Sequence, residues 1–461
     1  MPFTNGRVSF TRLLITPGPA DSPLPTRTLT EPACDALNDN AFSPTDVGVP
    51  LETETGWTTA AHLEDTNITY PAITAASGEA AILGLRIDTN TPPADIRRAV
   101  RARHEHALAK DNPSGKPSRA QRQEAKAAAE HELHQQMARG QHRRSAHNQL
   151  LWDIPNRTIL SAAASNKATE ALAEAFRTTF PGSSLTPASA GNLGYRHLAF
   201  TGRDRDFEDI RPSPFTDPQP TARPHAAQPN RDTTTAIPDC PWARTSAEPR
   251  DFLGNELLIW LWHLVDQREG LVSFPDPDEP ARDASLAITL DRTLELECAW
   301  GIAGRVTIKD HAGGPAPIRT PEAAEALSLG KWPRKSGLVI ADNSTGQDAG
   351  QVWSCTLQAD RWIISAAALP NPPEQENAEA HDTPEAEREF RIDRTLRLDR
   401  LLLALYHHFL ERRTDPTWDD ERAQIRRWIA DHRRRRVRGL TPVHAEPKPA
   451  AEDAPQLRVS G

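Results

Sequence analysis

Residues 91–160 read TPPADIRRAVRARHEHALAKDNPSGKPSRAQRQEAKAAAEHELHQQMARGQHRRSAHNQLLWDIPNRTIL, and the interpretation of the whole chain starts from them. Thr91 and Pro92 suit the start of one helix, because a hydroxyl caps free N–H groups and proline lacks one. Ser118 begins a capping box for a second helix. A turn separates the two, so the pattern predicts an antiparallel helical arm over residues 91–144, followed by a strand.

The arm is basic in an acidic protein. Between Pro92 and Arg144 stand twelve Lys and Arg against six Asp and Glu, so this segment carries +6 while the whole chain carries −9. The rest of the chain therefore carries −15. A basic projection on an acidic body binds a polyanion at one place and repels it elsewhere. The alternative is that these are the solvated faces of ordinary surface helices.

A set of basic side chains in and just after the arm is predicted to contact the phosphates of duplex DNA. The set consists of Lys116, Arg119, Arg122, Lys126, Arg139, Arg143 and Arg144. Residues 140–144 are expected to form the loop where the arm returns, alongside the other cations. No aromatic residue interleaves with this set, which disfavours stacking on single strands. No helix carries side chains placed to read a major groove, so binding without sequence preference is expected.

Composition bounds the class of protein. With 461 residues the chain is long enough for two or three domains, and 41 prolines with a hydrophobic share of 37% indicate substantial linkers. The four cysteines stand far apart, with neither zinc-binding nor dense disulfide spacing, which favours a reduced, cytoplasmic setting. The longest apolar run, residues 257–265, is about half a bilayer span, so no membrane partner is expected.

The predicted fold class is α+β, a mixed sheet-and-helix N-terminal unit with the basic arm inserted. The predicted divisions are 1–200 for the first α+β domain, 201–250 for a Pro-rich linker, 251–369 for a second α+β domain, 370–388 for an acidic linker, 389–440 for C-terminal helices and 441–461 for a disordered tail. A helix over 251–269 is apolar on nearly every side and must be buried, in a core or at a subunit contact. Residues 68–75 and 80–88 are predicted to form a hairpin, and 285–290 and 294–300 two further strands.

Motifs for enzymatic chemistry are mostly missing. The chain has no GxxxxGK[ST], no GxGxxG after a strand and no GxSxG. The pairs His104/His106 and His131/His134 are spaced by two and three residues rather than four, which favours surface histidines over a zinc site. Acids at 275–283 with Glu295 and Glu297 loosely resemble a PD-(D/E)xK nuclease, but Ala299 stands where that family has Lys. A solvated acidic loop is expected instead, with no catalytic residue, metal or cofactor.

The first 190 residues resemble the RdgC family, the bacterial recombination-associated DNA-binding proteins. The matching features, in order, are GRVSFTRLLI at 6–15, AFSP at 41–44, GW at 56–57, AAILGLRID at 80–88, the charged two-helix insertion, LLWDIPNRTILSAAAS at 150–165 and LTP at 185–187. Their order and spacing carry the resemblance, since each motif alone is weak.

The resemblance implies a non-enzymatic, nucleoid-associated protein that binds double-stranded DNA without sequence preference. It implies a ring-shaped homodimer with a basic hole, which regulates recombination by limiting the access of a RecA-type recombinase to DNA. This chain departs from the family at residues 141–146, where relatives carry an aromatic residue, and over 203–250, which is unmatched. Two other classes stay open: a metal-dependent nuclease, and a protein-interaction scaffold that uses the Trp-rich helix.

Overall fold

The structure is a computed structural model, and it describes residues 3, 5–19, 22–44, 52–110, 112–162, 165–216, 248–298, 304–310, 315–344, 350–371 and 383–438. The elements of the first half are β1 (Val8–Thr16), α1 (Glu31–Asp39), β2 (Thr53–Thr59), α2 (Tyr70–Ile73), β3 (Ala80–Asn90), α3 (Ala94–Ala109), α4 (Arg119–Ala138), β4 (Arg143–Asp153), β5 (Thr158–Ser161), α5 (Asn166–Thr179), β6 (Ser184–Pro187), α6 (Ala190–Phe200) and α7 (Asp204–Asp209). Those of the second half are α8 (Phe252–Arg268), β7 (Leu271–Pro275), β8 (Asp283–Cys298), β9 (Arg305–Lys309), a 3-10 turn (Pro317–Arg319), α9 (Pro321–Ser328), β10 (Lys331–Asp342), β11 (Val352–Gln358), β12 (Ile363–Ala368), α10 (Pro384–Arg413) and α11 (Trp418–Arg438).

All twelve strands belong to one antiparallel sheet, which confirms the α+β class. The strand order is β2-β3-β4-β5-β1-β12-β11-β10-β8-β7, with β6 beside β1 and β9 beside β8. β1 lies at the centre, where Thr11 stands opposite Ser161 of β5 on one side and Ile363 of β12 on the other. The two predicted α+β segments therefore supply the two halves of a continuous sheet.

The predicted linkers and tail are described only in part. The segment predicted as a Pro-rich linker contains α7, and its residues 217–247 lie outside the described residues. The same holds for 372–382 of the acidic linker and for 439–461, which include the predicted tail.

One face of the sheet carries the larger core, which spans both halves. α8, α10 and α11 pack there, and the apolar helix predicted at 251–269 is buried in it, with Trp260 2% and Trp262 0% exposed. On the opposite face, α1 and α5 cover the N-terminal half. There Phe176 and Phe180 of α5 lie 6.0 and 5.6 Å from the Trp152 ring.

Three local predictions are wrong. Residues 68–75 do not form a strand, because Pro71 starts the short helix α2 and β3 pairs with β2 instead. α3 begins at Ala94, after Pro93 and without a side-chain cap, so Thr91 is not its cap. The two strands expected over 285–300 are one long β8, which continues through a register shift near Arg292, whose φ is +63°.

Candidate nucleic-acid interface

The arm is an insertion in the hairpin formed by β3 and β4. α3 follows Asn90 at the end of β3, and α4 leads back to Arg143, which stands opposite Asn90 across the hairpin. The two helices pack on each other through a small apolar cluster of Val100, Ala129 and Leu133. This cluster is separate from both main cores, so the arm extends from the edge of the body as an independent unit.

The far end of the arm forms as the sequence predicts. Ser118 Oγ accepts the Gln121 backbone N–H at 3.2 Å, and Gln121 Oε1 accepts the Ser118 N–H at 2.8 Å. The Gln121 side chain also donates to the Leu108 carbonyl of α3 at 3.0 Å. Gly115 supplies the left-handed φ of +61° that the turn requires. The capping box thus ties the two helices together where Lys116 emerges.

The predicted phosphate contacts fall at two ends of the arm. The tip set is Lys116, Arg119 and Arg122, the base set is Arg139, Arg143 and Arg144, and Lys126 lies between them. At 1.5 Å per residue, α4 separates Arg119 from Arg139 by about 30 Å. The expectation that residues 140–144 lie alongside the tip cations is wrong, because an antiparallel arm returns at its base. Arg143 and Arg144 also belong to β4 rather than to a loop.

Most of these cations are exposed and have no acidic partner. Within the described part of the chain, no carboxylate lies within 4.0 Å of Lys116, Arg119, Arg122, Arg139 or Arg144. Arg97 at the base and Lys110 at the tip are also exposed and have no carboxylate partner in the described residues. Both belong to the twelve cations of the arm, but the sequence did not single them out for phosphate contact. Lys126 makes an exposed pair with Glu130 at 3.7 Å, and such pairs are weak.

Arg143 differs because it is engaged inside the hairpin. Its Nε donates to Asp88 at 3.0 Å, and its Nη2 donates to Glu54. Asp88 is 2% exposed and accepts two more bonds from Arg86, both at 2.9 Å. Burial alone would raise the pKa of Asp88, but bonds from Arg86, Ser145 and Arg143 hold it below its ordinary value. The structure therefore does not place Arg143 among the free cations predicted for phosphate contact.

The same bonds fix the direction of the arm. Asn90 Nδ2 donates to the Met137 carbonyl at 2.7 Å, which ties the end of β3 to the end of α4. The Arg86 guanidinium lies 4.1 Å from the centre of the Phe42 ring. Sequence reasoning missed this anchor. The available signal was Arg86 and Asp88, two charges on the same face of an otherwise apolar strand.

Other arm charges are paired along or between the helices. These pairs are Arg98 with Asp95, Arg101 with Glu105, and Arg103 with Glu132. His104 Nε2 lies 2.9 Å from the same Glu132 oxygen. Bonds from Arg103 first, then from His104, lower the pKa of Glu132. Across the described ranges, no three or more His, Cys, Asp or Glu are grouped to hold a metal ion.

The acidic stretch at 275–283 forms a loop between β7 and β8 that is mostly exposed, as the sequence predicts, but one of its carboxylates is buried and paired. Asp276 is 1% exposed and accepts two bonds of 2.7 Å from Arg397 of α10. Arg397 also donates to Asp278 at 2.7 Å and to Asp342 at 3.5 Å. Burial would raise the pKa of Asp276, but the bonds from Arg397 hold it well below its ordinary value. The strand acids of the nuclease alternative are paired too: Glu295 with Arg305 at 3.4 Å, and Glu297 with Arg334 at 2.9 Å.

The second basic cluster, at 433–438, lies at the end of α11, and its side chains fall outside the described residues. In the described part of the chain, no helix combines the length and apolarity needed to cross a bilayer. No known protein-family model matches the chain, and no curated protein matches it either. A functional argument therefore depends on the arm and on the motifs of the first 190 residues.

Proposed function

We propose that this protein binds duplex DNA without sequence preference through the cations of its arm, as the resemblance to the RdgC family implies. The observation that carries the proposal is the set of exposed arm cations without a carboxylate partner in the described residues. They are Arg97, Lys110, Lys116, Arg119, Arg122, Arg139 and Arg144. Cations left unpaired in a chain of net charge −9 are available for an external polyanion.

The spacing of the two ends of the arm suits a duplex. Arg119 and Arg139 lie about 30 Å apart along α4, and one turn of B-DNA rises about 34 Å. An arm lying along the duplex axis therefore spans about one turn of the duplex, with cations at both of its ends. Phosphate contacts position a protein but carry no sequence information, which agrees with the absence of a base-reading pattern.

The direct test is duplex binding across a salt series by gel shift or fluorescence anisotropy. Each phosphate contact contributes a slope of about −0.9 to the dependence of log affinity on log salt. Arg119→Glu/Arg122→Glu/Arg139→Glu should lower affinity by at least about 10-fold and make the slope shallower by about 3. The matched control reverses three exposed cations on other elements, Arg268→Glu/Lys309→Glu/Arg319→Glu, and adds the same charge to the chain.

Two results would contradict the proposal. One is affinity that does not change with salt, because phosphate contacts release counterions. The other is an equal loss in the arm variant and the control, which would show that net charge alone governs binding. The same samples incubated with plasmid and Mg²⁺ or Mn²⁺ should leave the DNA uncut, and cleavage would favour the nuclease alternative.

The resemblance also supports a ring-shaped homodimer that occupies duplex DNA and so limits access by a RecA-type recombinase. Light scattering should give the mass of a dimer both alone and with a duplex. A closed ring should also resist a salt wash on circular plasmid and slide from the ends of linear DNA. A monomeric mass under both conditions would reject the dimeric ring. It would not bear on DNA binding by the arm, which the salt series tests separately.

A further inference from the structure

α6 exposes an aromatic and basic surface that binding by the arm does not use. Phe200, the last residue of α6, is 90% exposed, and Tyr195 on the same helix is 49% exposed. Single exposed apolar side chains are ordinary on protein surfaces. An almost fully exposed phenylalanine and a half-exposed tyrosine on the same short helix together form a patch. Arg196 lies beside them on the exposed face.

The packing of α6 keeps these side chains on the outside. On the inner face, a Cβ at Gly194 would lie only 3.2 Å from Tyr406 Oη, so helix and core are in close contact. His197 stacks on His407 of α10 with ring centres 3.9 Å apart. The edge-on contact of Tyr195 with Phe207, at 5.6 Å, holds the tyrosine ring against α7. With its inner face occupied, the helix cannot rotate to bury Phe200.

Uncompensated positive charge adjoins the two rings. Arg196 and Arg157 are both exposed, and neither side chain has a hydrogen-bond or acidic partner within the ranges that the structure describes. Arg157 lies in the turn between β4 and β5. Burial first, then the like charges of Arg12 and Arg157, lower the pKa of Arg196. Among the acids that contact this helix, Asp251 Oδ1 accepts the Gly191 N–H at 2.9 Å and Glu411 faces His197 at 3.6 Å, and within the described residues neither pairs with Arg157 or Arg196.

We propose that Arg157, Tyr195, Arg196 and Phe200, the α6 surface, bind a single strand of nucleic acid. A single strand presents unstacked base faces to exposed aromatic rings, and phosphates to the unpaired arginines. Duplex DNA keeps its base faces inside the stack, so it gains nothing from these rings. Tyr195 and Phe200 lie about 7.5 Å apart along the helix axis and about 140° apart around it, so each ring takes a separate base, on either side of Arg196.

Sequence reasoning finds no aromatic residue among the basic clusters because it compares neighbours along the chain. The α6 surface combines residue 157, in the turn between β4 and β5, with residues 195–200 of α6, and Arg157 is close enough to Arg196 for the two charges to repel each other. The inference is independent of duplex binding by the arm, and each surface can fail its test without the other.

The test uses a labelled oligothymidylate of about 16 nucleotides, which does not pair with itself, and a labelled duplex of equal length. Tyr195→Ala/Phe200→Ala should weaken binding of the single strand by at least about 10-fold and leave duplex binding unchanged. Phe200→Trp should retain binding, because a larger ring still stacks. Arg157→Glu/Arg196→Glu should make the salt slope for the single strand shallower by about 1.4.

The controls separate this surface from the arm and from misfolding. Leu271→Ala removes another exposed apolar side chain, 52% exposed on β7, and should not change binding of either probe. Because Tyr195 and Phe200 are exposed, the double variant should keep the circular dichroism and melting temperature of the parent. Unchanged single-strand binding in the double variant would overturn the proposal. The proposal would also be overturned if single-strand binding were lost in the arm variant but not in the variants of the α6 surface.

Discussion

Arginines serve opposite purposes on the arm and beneath the centre of the sheet. On the arm, Arg119 and Arg139 are exposed and have no carboxylate nearby in the described residues. Beneath the sheet, Arg397 and Arg400 of α10 meet buried or half-buried aspartates: Asp276 with Arg397 at 2.7 Å, and Asp153 with Arg400 at 2.9 Å. In these two regions, buried arginines are neutralised by aspartates, whereas several exposed arginines of the arm have no acidic partner in the described residues.

The buried pairs also connect distant parts of the chain. Arg400 bonds Asp153 at the end of β4 and Asp278 after β7, which lie in different halves of the sheet. Asp399, the residue before it, bonds Arg12 of the central strand β1. α10 therefore holds the two halves together by charge as well as by apolar packing. The comparison teaches that the same residue type acts as a structural clamp in one region and stays exposed, available to an external anion, in the other.

The largest expected effect is the loss of one buried partner. Arg397→Ala should lower the free energy of unfolding by about 3–5 kcal/mol, because it removes the Arg397 bonds from the buried carboxylates of Asp276 and Asp342 and leaves Asp276 with Arg282, at 2.9 Å. Arg119→Ala on the arm should change that free energy by no more than about 0.5 kcal/mol. Urea denaturation followed by tryptophan fluorescence measures both variants. Similar effects for the two would remove the distinction between structural clamp and exposed cation.

A smaller effect concerns His407, a partly buried base with no acidic partner among the described residues. Burial first, then the charges of His197 and Arg12, lower the pKa of His407 to about 3. Above the ordinary histidine pKa of 6.5 this group costs no stability. As pH falls from 6.5 toward 3, His407 binds a proton in the unfolded chain but not in the folded protein. The free energy of unfolding therefore decreases.

Between pH 6.5 and 5 the loss assigned to His407 is about 2 kcal/mol. His407→Phe keeps a ring against His197 but cannot bind a proton. Over that pH range the variant should therefore lose about 2 kcal/mol less unfolding free energy than the parent. Denaturation midpoints measured at several pH values give the two curves. If the stability of parent and variant changed equally with pH, protonation of His407 in the folded protein would cost nothing, and the expected effect of its burial would be wrong.

The smallest expected effect compares two helix caps. Ser118→Ala removes the cap of α4 and should cost about 1 kcal/mol locally, seen as faster hydrogen exchange in the first turn of α4. Ser165→Ala removes the cap of α5, whose Phe176 is buried against the sheet. That loss should appear in the global unfolding free energy instead. A global loss from Ser118→Ala would show that the arm unfolds together with the body.

Features encoded by neighbouring residues could be predicted from the sequence. The capping box at Ser118 and the all-round apolar α8 each depend on residues a few positions apart, and both form as expected. Exposure of Arg119 and Arg139 could be predicted in the same way, since polar faces of Ala-rich helices lie outward.

Features that depend on distant partners could not. Arg143 was assigned to the binding set because its partners Asp88 and Glu54 are 55 and 89 residues away. The pairing of Asp276 with Arg397 spans 121 residues, so the burial of this one carboxylate in a mostly exposed acidic loop could not be predicted. The separation of tip and base cations likewise needs the arm's geometry, which charge counting along the chain does not contain.

The central position of β1 has a consequence for synthesis of the protein. Across 357 residues of sequence, the Ala366 N–H donates to Ser9 Oγ. At about 5–20 residues per second, roughly 20–70 s separate translation of β1 from that of β12. During that interval the Val8–Thr11 part of one edge of β1 is an open template for other chains, because β6 covers only Leu13–Thr16 on that edge. The nascent chain therefore needs protection until its final third is made, and a truncation that removes β12 leaves that part of the strand permanently uncovered.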